Sequence, residues 1–311
     1  MTATVDAAVR RFSAIDLAEL DQCAQLLTRK DRKYIVDAGI LAALLEALPT
    51  DVRALETEHG RWSRYESVYF DTPRFDSFRL AATRRRNRFK VRTRRYVDPG
   101  TSMIEVKTKD RRGRTVKRRD PLDDGTADVL GTVRRFAEDF SQVRAHSDDL
   151  APTVTTSYRR ATLVLPQPHA RVTLDADFRA VDVEGATVTL GDELVVETKT
   201  NGAPCLVDHL LWRAGHRPIT FSKYATALAA LHPDLPHNRW NRVLIRHFEA
   251  MTPTSSPPAL DRDRGTPARS STSGWSDRRP SPSPCGAGPS SARAHRSTRP
   301  SRRGGLAGRL G

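Results

Sequence analysis

Cysteine is scarce: Cys23, Cys205 and Cys285 are the only three in 311 residues, and none belongs to a CxxC pair. So few thiols, so widely spaced, exclude a disulfide framework and a structural zinc knot. Free thiols fit a reducing compartment. Long apolar runs are also missing, since nothing approaches the roughly 20 residues that a membrane span requires. The N-terminus has no basic-then-apolar secretion signal. These absences lead to the expectation of a cytoplasmic, soluble chain. Aromatic residues make up 6%, with neither a stacking pattern nor a recognition-helix motif, which argues against nucleic acid as the partner.

Positive charge is abundant. The formal net charge is +15, from 52 Lys and Arg against 37 Asp and Glu, and 38% of the residues are hydrophobic, enough for a core. A basic balance calls for an anionic partner. About half of the excess lies beyond Met251, where eleven Arg face three Asp among Pro, Ser, Gly and Thr. Such a segment cannot bury enough apolar surface to offset its ordering entropy. Residues 251–311 are therefore expected to be a disordered tail, 1–13 a flexible N-terminus and 14–250 the folded domain.

Within that domain an apolar face at Ile15, Leu17, Leu20, Ala24 and Leu27 predicts a helix. Further helices are predicted over 38–48, 126–140, 204–214 and 222–231. Strands are predicted near 32–36, 65–71, 87–96, 102–109, 113–119, 153–164, 170–177 and 192–200, with Gly113 turning a hairpin. Strands with short connections and a few helices indicate an α+β fold on an antiparallel sheet.

Side chains two apart on a strand share a face. Arg88, Lys90, Arg92 and Arg94 therefore oppose Phe89 and Val91, and Glu105, Lys107 and Lys109 oppose Ile104 and Val106. Tyr158 sits with Arg160. Arg171, Thr173, Asp175 and Asp177 oppose Val172 and Leu174, and Glu197 with Lys199 opposes Val196. A half-exposed sheet would alternate in the same way. The mixture of Arg and Lys with isolated carboxylates points instead to an enclosed charged face, with the helices over 38–48, 126–140 and 204–214 covering the apolar one.

Several runs resemble the VTC domain, the polyphosphate polymerase domain of the triphosphate tunnel metalloenzymes. They are Arg29-Lys30-Asp31-Arg32-Lys33-Tyr34-Ile35-Val36, Tyr69-Phe70-Asp71-Thr72, Lys90-Val91-Arg92-Thr93-Arg94-Arg95-Tyr96 and Ile104-Glu105-Val106-Lys107-Thr108-Lys109. Ser157-Tyr158-Arg159-Arg160, Arg171-Val172-Thr173-Leu174-Asp175, Val196-Glu197-Thr198-Lys199 and Phe221-Ser222-Lys223-Tyr224 complete the series in family order. The resemblance implies an eight-stranded antiparallel β-tunnel with flanking helices and an inward-facing site.

By that resemblance the tunnel cations are Lys33, Arg92, Arg94, Lys107, Lys117, Arg160, Arg171 and Lys223, and Tyr158 and Ser222 lie near the phosphates. Face alternation adds Lys90, Lys109 and Lys199 as substrate-binding candidates. Glu197 is the implied ligand of Mn2+ or Mg2+, with Glu105 as a second. Hydrolytic superfamily members carry Glu-x-Glu-x-Lys on the first strand, where this chain has Lys30-Asp31-Arg32-Lys33. The difference favours a polymerase-like or binding site over a metal-rich triphosphatase. The implied substrates are ATP, polyphosphate or another triphosphate-bearing anion, and any membrane-protein partner lies outside this chain. His209 and His216, in and after a predicted helix, read as packing or capping residues.

Overall fold

Apolar alternation and helix caps set the elements of the computed structural model, which describes residues 2–23, 30–123, 125–166 and 169–250. The tail expected to be disordered lies outside the described residues. In chain order the first elements are α1 (Thr2–Arg10), β1 (Ser13–Ile15), α2 (Leu17–Cys23), β2 (Lys30–Asp37), α3 (Ala38–Glu46), β3 (Arg53–Leu55), β4 (Ser63–Asp71) and α4 (Asp76–Ala82). Then follow β5 (Lys90–Tyr96), β6 (Thr101–Lys109), β7 (Thr115–Leu122), α5 (Val129–Glu138), a 3-10 turn (Arg144–Asp149), β8 (Ala151–Leu165) and β9 (Ala170–Asp182). The last are β10 (Thr187–Thr189), β11 (Glu193–Thr200), α6 (Leu206–Arg213), α7 (Lys223–Leu231), α8 (Asn241–His247) and β12 (Glu249–Ala250).

Eight long strands form one antiparallel path, β2-β11-β9-β8-β4-β5-β6-β7. The architecture is α+β, as its sequence pattern predicts. The sheet rolls, because one cavity is lined from β2 at one end of the path and β7 at the other. No pairing joins β2 to β7 among the described residues, so the rolled sheet stays open at that seam. β7 there exposes a charged row, Lys117-Arg118-Arg119, which suits an edge strand.

The convex face is apolar and covered by helices. Tyr34, Val36, Val172, Leu174 and Val196 pack under α1, α3 and α6. Phe70, Phe89, Val91, Ile104 and Val106 pack with Val133 and Ala137 of α5. α3 follows β2 directly because the Asp37 carboxylate accepts the Gly39 and Ile40 N–H groups as an N-cap. The helices predicted over 38–48, 126–140 and 204–214 thus cover the face expected of them.

Four expectations are corrected. The N-terminus expected to be flexible forms α1, with Val5, Val9 and Phe12 buried against the α3 cluster. The helix expected from Ile15 to Leu27 is divided: Ile15 ends β1, which pairs in parallel with β3, and Leu17 is exposed at the start of α2. Ala24 and Leu27 lie outside the described residues. Asp177 does not share the face of Asp175, because its backbone adopts φ 55° at a bulge between β8 and β9 and it meets Arg159 on the surface. Finally, the concave face is only half charged. Its other half, including Ile35, Tyr69, Phe178 and Val195, packs on Tyr224, Ala225 and Leu228 of α7. That helix plugs the interior and leaves the charged half as a pocket with a floor.

Candidate functional site

The pocket is a cavity of about 210 Å3 lined by nine cations, Lys33, Lys90, Arg92, Arg94, Lys107, Lys117, Arg160, Lys199 and Lys223, with Tyr69, Tyr158, Ser222, Glu105 and Glu197. Of the site residues predicted from the sequence, two fall outside it. Arg171 turns to α2, donating to the Leu20 carbonyl and the Asp21 carboxylate, both at 3.3 Å. Lys109 sits at the β6–β7 hairpin and donates to Thr115 Oγ1 at 2.7 Å. Alternation gives the face of a residue and says nothing of how far along a tilted strand the cavity extends.

Outward-facing neighbours hold the inward ones in place. Asp208 of α6, fully buried, accepts from Tyr34 Oη at 2.6 Å, from Thr198 Oγ1 at 2.7 Å and from the Cys205 N–H at 2.9 Å. It also pairs with Arg32 at 3.4 Å. Arg32, Tyr34 and Thr198 are thereby pinned outward, and alternation aims Lys33, Glu197 and Lys199 inward. A second network starts at Asp71, which accepts from the N–H groups of Thr72, Ser77 and Phe78 at the start of α4 and from the Tyr224 hydroxyl. Tyr224 stacks on Tyr69 at 5.1 Å, and Arg92 Nη1 donates to Tyr69 Oη at 3.0 Å. α4, α7 and β5 are joined in this way beneath the cavity.

Three carboxylates divide the cations among them. Glu105, 2% exposed, accepts from Arg92 Nε at 2.6 Å and is bridged by Lys117. Burial would raise its pKa, but Arg92, Arg94 and Lys117 hold it down to about 2. Asp175, fully buried, takes Arg160 through two bonds of 2.6 and 2.9 Å and also pairs with Lys223. Glu197 lies 3.4 Å from Lys199. Burial opposes its charge, yet Lys33, Lys199, Arg160 and Lys223 keep its carboxyl well below the usual range.

The lysines show the converse. Burial, then Arg92 and Lys33, lowers Lys107 to about 8. Burial, helped by Arg160, outweighs Glu197 in bringing Lys199 to about 8. Lys90, which donates to Ser222 Oγ at 2.6 Å, is pushed well below its usual range by burial and by Lys33, Lys107 and Arg92. Such crowding favours any anion that enters. Tyr158 stacks on Tyr65 at 5.3 Å, lies 4.3 Å beneath Lys223 Nζ, and its buried hydroxyl has no partner among the described residues.

One cavity residue, Tyr69, and one carboxylate behind the cavity wall, Asp175, are absent from the sequence-derived set. Tyr69 stands in the Tyr69-Phe70-Asp71-Thr72 run and Asp175 on the charged face of β9, so both were within reach of the pattern.

A family model for the VTC domain matches residues 28–232. The chain belongs to the VTC domain family. This membership carries the triphosphate tunnel superfamily with it, whose members are enzymes and whose chemistry implies a divalent metal. The VTC chain is also similar in structure to a candidate adenylate cyclase from Bacillus halodurans (14% identity, 63% of this chain and 94% of that one, TM-score 0.38). Another is a candidate adenylyl cyclase from Hippeastrum with a dominant triphosphatase activity (16% identity, 67% of this chain and 98% of that one, TM-score 0.43). No curated protein matches in sequence. No helix among the described residues is long and apolar enough to cross a membrane.

The donor set limits how a metal is held. Among the described residues there is no group of three metal-ligating side chains. Both oxygens of Glu105 face cations, which leaves Glu197 as the carboxylate available. A hard divalent ion takes about six oxygen ligands, so Glu197 could hold one here only if substrate oxygens or water supplied the remaining ligands.

Asp175 makes a test of the architecture. Asp175→Asn takes from Arg160 and Lys223 the carboxylate they bond directly, leaving Glu197 as the nearby negative charge, and breaking a buried pair of this kind costs about 3 kcal/mol or more. Thermal melts should show a marked fall for the empty protein and a larger rescue by tripolyphosphate than in the wild type. Equal rescue of both proteins would mean that these cations do not face the anion.

Proposed function

We propose that this VTC protein transfers the terminal phosphoryl group of ATP to the end of a growing polyphosphate chain. The observation that supports this best is the single cavity in which nine cations meet only two lining carboxylates. Its volume is below the roughly 300 Å3 of ordinary small-molecule pockets. It suits a run of phosphates, with the nucleoside remaining at the mouth.

In the transfer, the bond between the γ-phosphorus and the β–γ bridging oxygen breaks. A bond forms from a terminal oxygen of the acceptor chain, and ADP leaves. Such a reaction asks the protein for position and electrostatic support more than for covalent chemistry. Arg92, Arg94 and Arg160 offer planar forks that pair two phosphate oxygens, and the lysines act as point charges. Tyr158 Oη and Ser222 Oγ supply neutral hydrogen bonds at the wall. Glu197 would hold Mn2+ or Mg2+, which when bound neutralises charge developing on the phosphates.

Incubating the purified chain with ATP, Mn2+ and a short polyphosphate primer, then assaying polyphosphate and free phosphate separately, tests this reading. Polyphosphate growth supports it, and release of phosphate alone makes the protein a triphosphatase. A non-catalytic polyphosphate or inositol-phosphate sensor is the second reading, favoured by the pairing of each carboxylate with cations in the metal-free site. Binding without turnover identifies it.

Affinity for the anion depends on pH with a definite sign. Lys107 and Lys199 lose their protons near pH 8 in the empty protein and only near 10.5 when unfolded. Between these limits the unfolded chain binds more protons, so the contribution of these lysines to stability rises with pH. Anion affinity falls over the same window as the charges disappear. Tripolyphosphate titrations at pH 7 and pH 9 should show weaker binding at pH 9 while the melting temperature of the empty protein gains from these two groups. Equal affinity at both values would place the two lysines away from the anion.

A further inference from the structure

The cations do not end at the cavity wall. Lys90 and Lys107 face each other across β5 and β6, and further out stand Lys109, at the end of β6, and Arg88, two residues before β5. The α4–β5 connection brings Arg84 to this corner, with an αL backbone of φ 57°. Arg88 Nη1 donates to the Arg85 carbonyl at 2.9 Å and the Arg84 carbonyl at 3.5 Å, which folds the connection back on itself. Arg239, between α7 and α8, closes the corner by donating to the Ala81 carbonyl at 2.5 Å. Its Nε is buried without a partner among the described residues.

No carboxylate pairs with Arg84, Arg88 or Arg239 among the described residues. Burial and then the charges of Arg84 and Arg88 lower Arg239, and Arg239 in turn adds to the depression of Lys90. The rim and the cavity therefore share one electrostatic field. Holding unneutralised like charges together has a cost in the empty protein that a bound anion would relieve.

We propose that Arg84, Arg88 and Arg239 form a second anion subsite, outside the cavity, that holds the part of a linear phosphate chain which has passed Lys90. The subsite rests on the phosphate-binding reading of the cavity and extends it to a preference for long chains.

Calorimetric titration of the full chain with tripolyphosphate and with long-chain polyphosphate tests it at one fixed salt concentration. The wild type should bind the long chain at least roughly tenfold more tightly than the triphosphate, as charge-assisted contacts of this kind allow. Arg84→Gln with Arg88→Gln should remove that advantage and leave triphosphate affinity within about twofold, because the cavity keeps its own cations. Arg84→Lys with Arg88→Lys should keep most of it. If the double Gln variant melts early, Arg84→Gln alone, at an exposed position, should show a partial loss.

A retained long-chain advantage in the Gln variants overturns the subsite. Equal loss for both ligands also overturns it, by assigning these arginines to the cavity. Phosphatidylglycerol vesicles supply the remaining contrast: vesicle binding lost in the variant with long-chain binding intact gives the rim to lipid and overturns the proposal. A wild type that binds tripolyphosphate but shows no long-chain advantage overturns the rim alone. A wild type that binds neither ligand overturns the phosphate reading of the cavity as well.

Discussion

Tripolyphosphate binding should fall by a factor of about one hundred or more when Arg92 and Arg94 are both replaced by alanine, since each charged hydrogen-bonding group contributes roughly 1.5–3 kcal/mol. Both guanidinium groups reach the cavity from β5, and both are already oriented by the protein. Arg92 is held by Glu105 and Tyr69, while Arg94 lies 5.4 Å from the Tyr65 ring centroid with Nε 3.3 Å from Ser67 Oγ. An anion that meets them therefore loses little ordering entropy to arrange its partners.

Charge repulsion alone would make the empty double variant more stable than the wild type. The pairing of Arg92 with Glu105 reverses that expectation. Glu105 is 2% exposed, and removing Arg92 leaves it with Lys117 as its closest counter-ion. The melting temperature should fall modestly, and adding Glu105→Gln should restore part of it while binding remains lost. Calorimetric titration and thermal melts on the three proteins check both halves. Wild-type affinity in the double variant would mean that the anion does not occupy this cavity.

The long strands were legible because period-two alternation of β-branched and charged residues is a local property, and the inward face of each strand follows from it. Other features depend on contacts distant in sequence. α1 is not one of these: Val5, Ala8, Val9 and Phe12 stand at helical spacing, so its apolar face was legible, and only its burial against α3 needed the fold. α7 was expected as a helix, but an apolar helix surface does not say which side of a sheet it will cover. Its place inside the roll converts a tunnel lined by charge into a pocket with an apolar floor. Arg171 and Lys109 lie on the predicted face yet beyond the cavity, because the tilt of a rolled sheet decides which rungs line the hollow. Asp177 left its face through a bulge that no turn residue signals. The charge balance was only partly legible: the cations could be read strand by strand, whereas the pairing of Asp175 with both Arg160 and Lys223 needs β8, β9 and α7 in place together.

Glu197→Gln should lower turnover by a factor of about one hundred or more, on the scale of a lost metal or electrostatic stabiliser of the transition state, and leave triphosphate binding intact. Glu197 stays ionised because Lys33, Lys199, Arg160 and Lys223 surround it. In the metal-free site it acts as their counter-ion, and under the proposed reading it would be the protein ligand of the divalent ion. The amide keeps the size and removes the charge. With a chelator present, the cavity gains one unit of net positive charge, so affinity for tripolyphosphate should hold or increase. With Mn2+ and ATP, the ion loses its anchor, and both the rate and the apparent metal affinity should fall. Glu105→Gln is the contrasting variant. It frees Arg92 and Lys117 rather than a metal, so it should reduce stability more and turnover less. Turnover in Glu197→Gln with unchanged Mn2+ dependence would remove this carboxylate from the metal site. A wild type that binds tripolyphosphate and yields no product with Mn2+, Mg2+ and primer all supplied would leave Glu197 as a counter-ion only, and the protein as a sensor of phosphate chains.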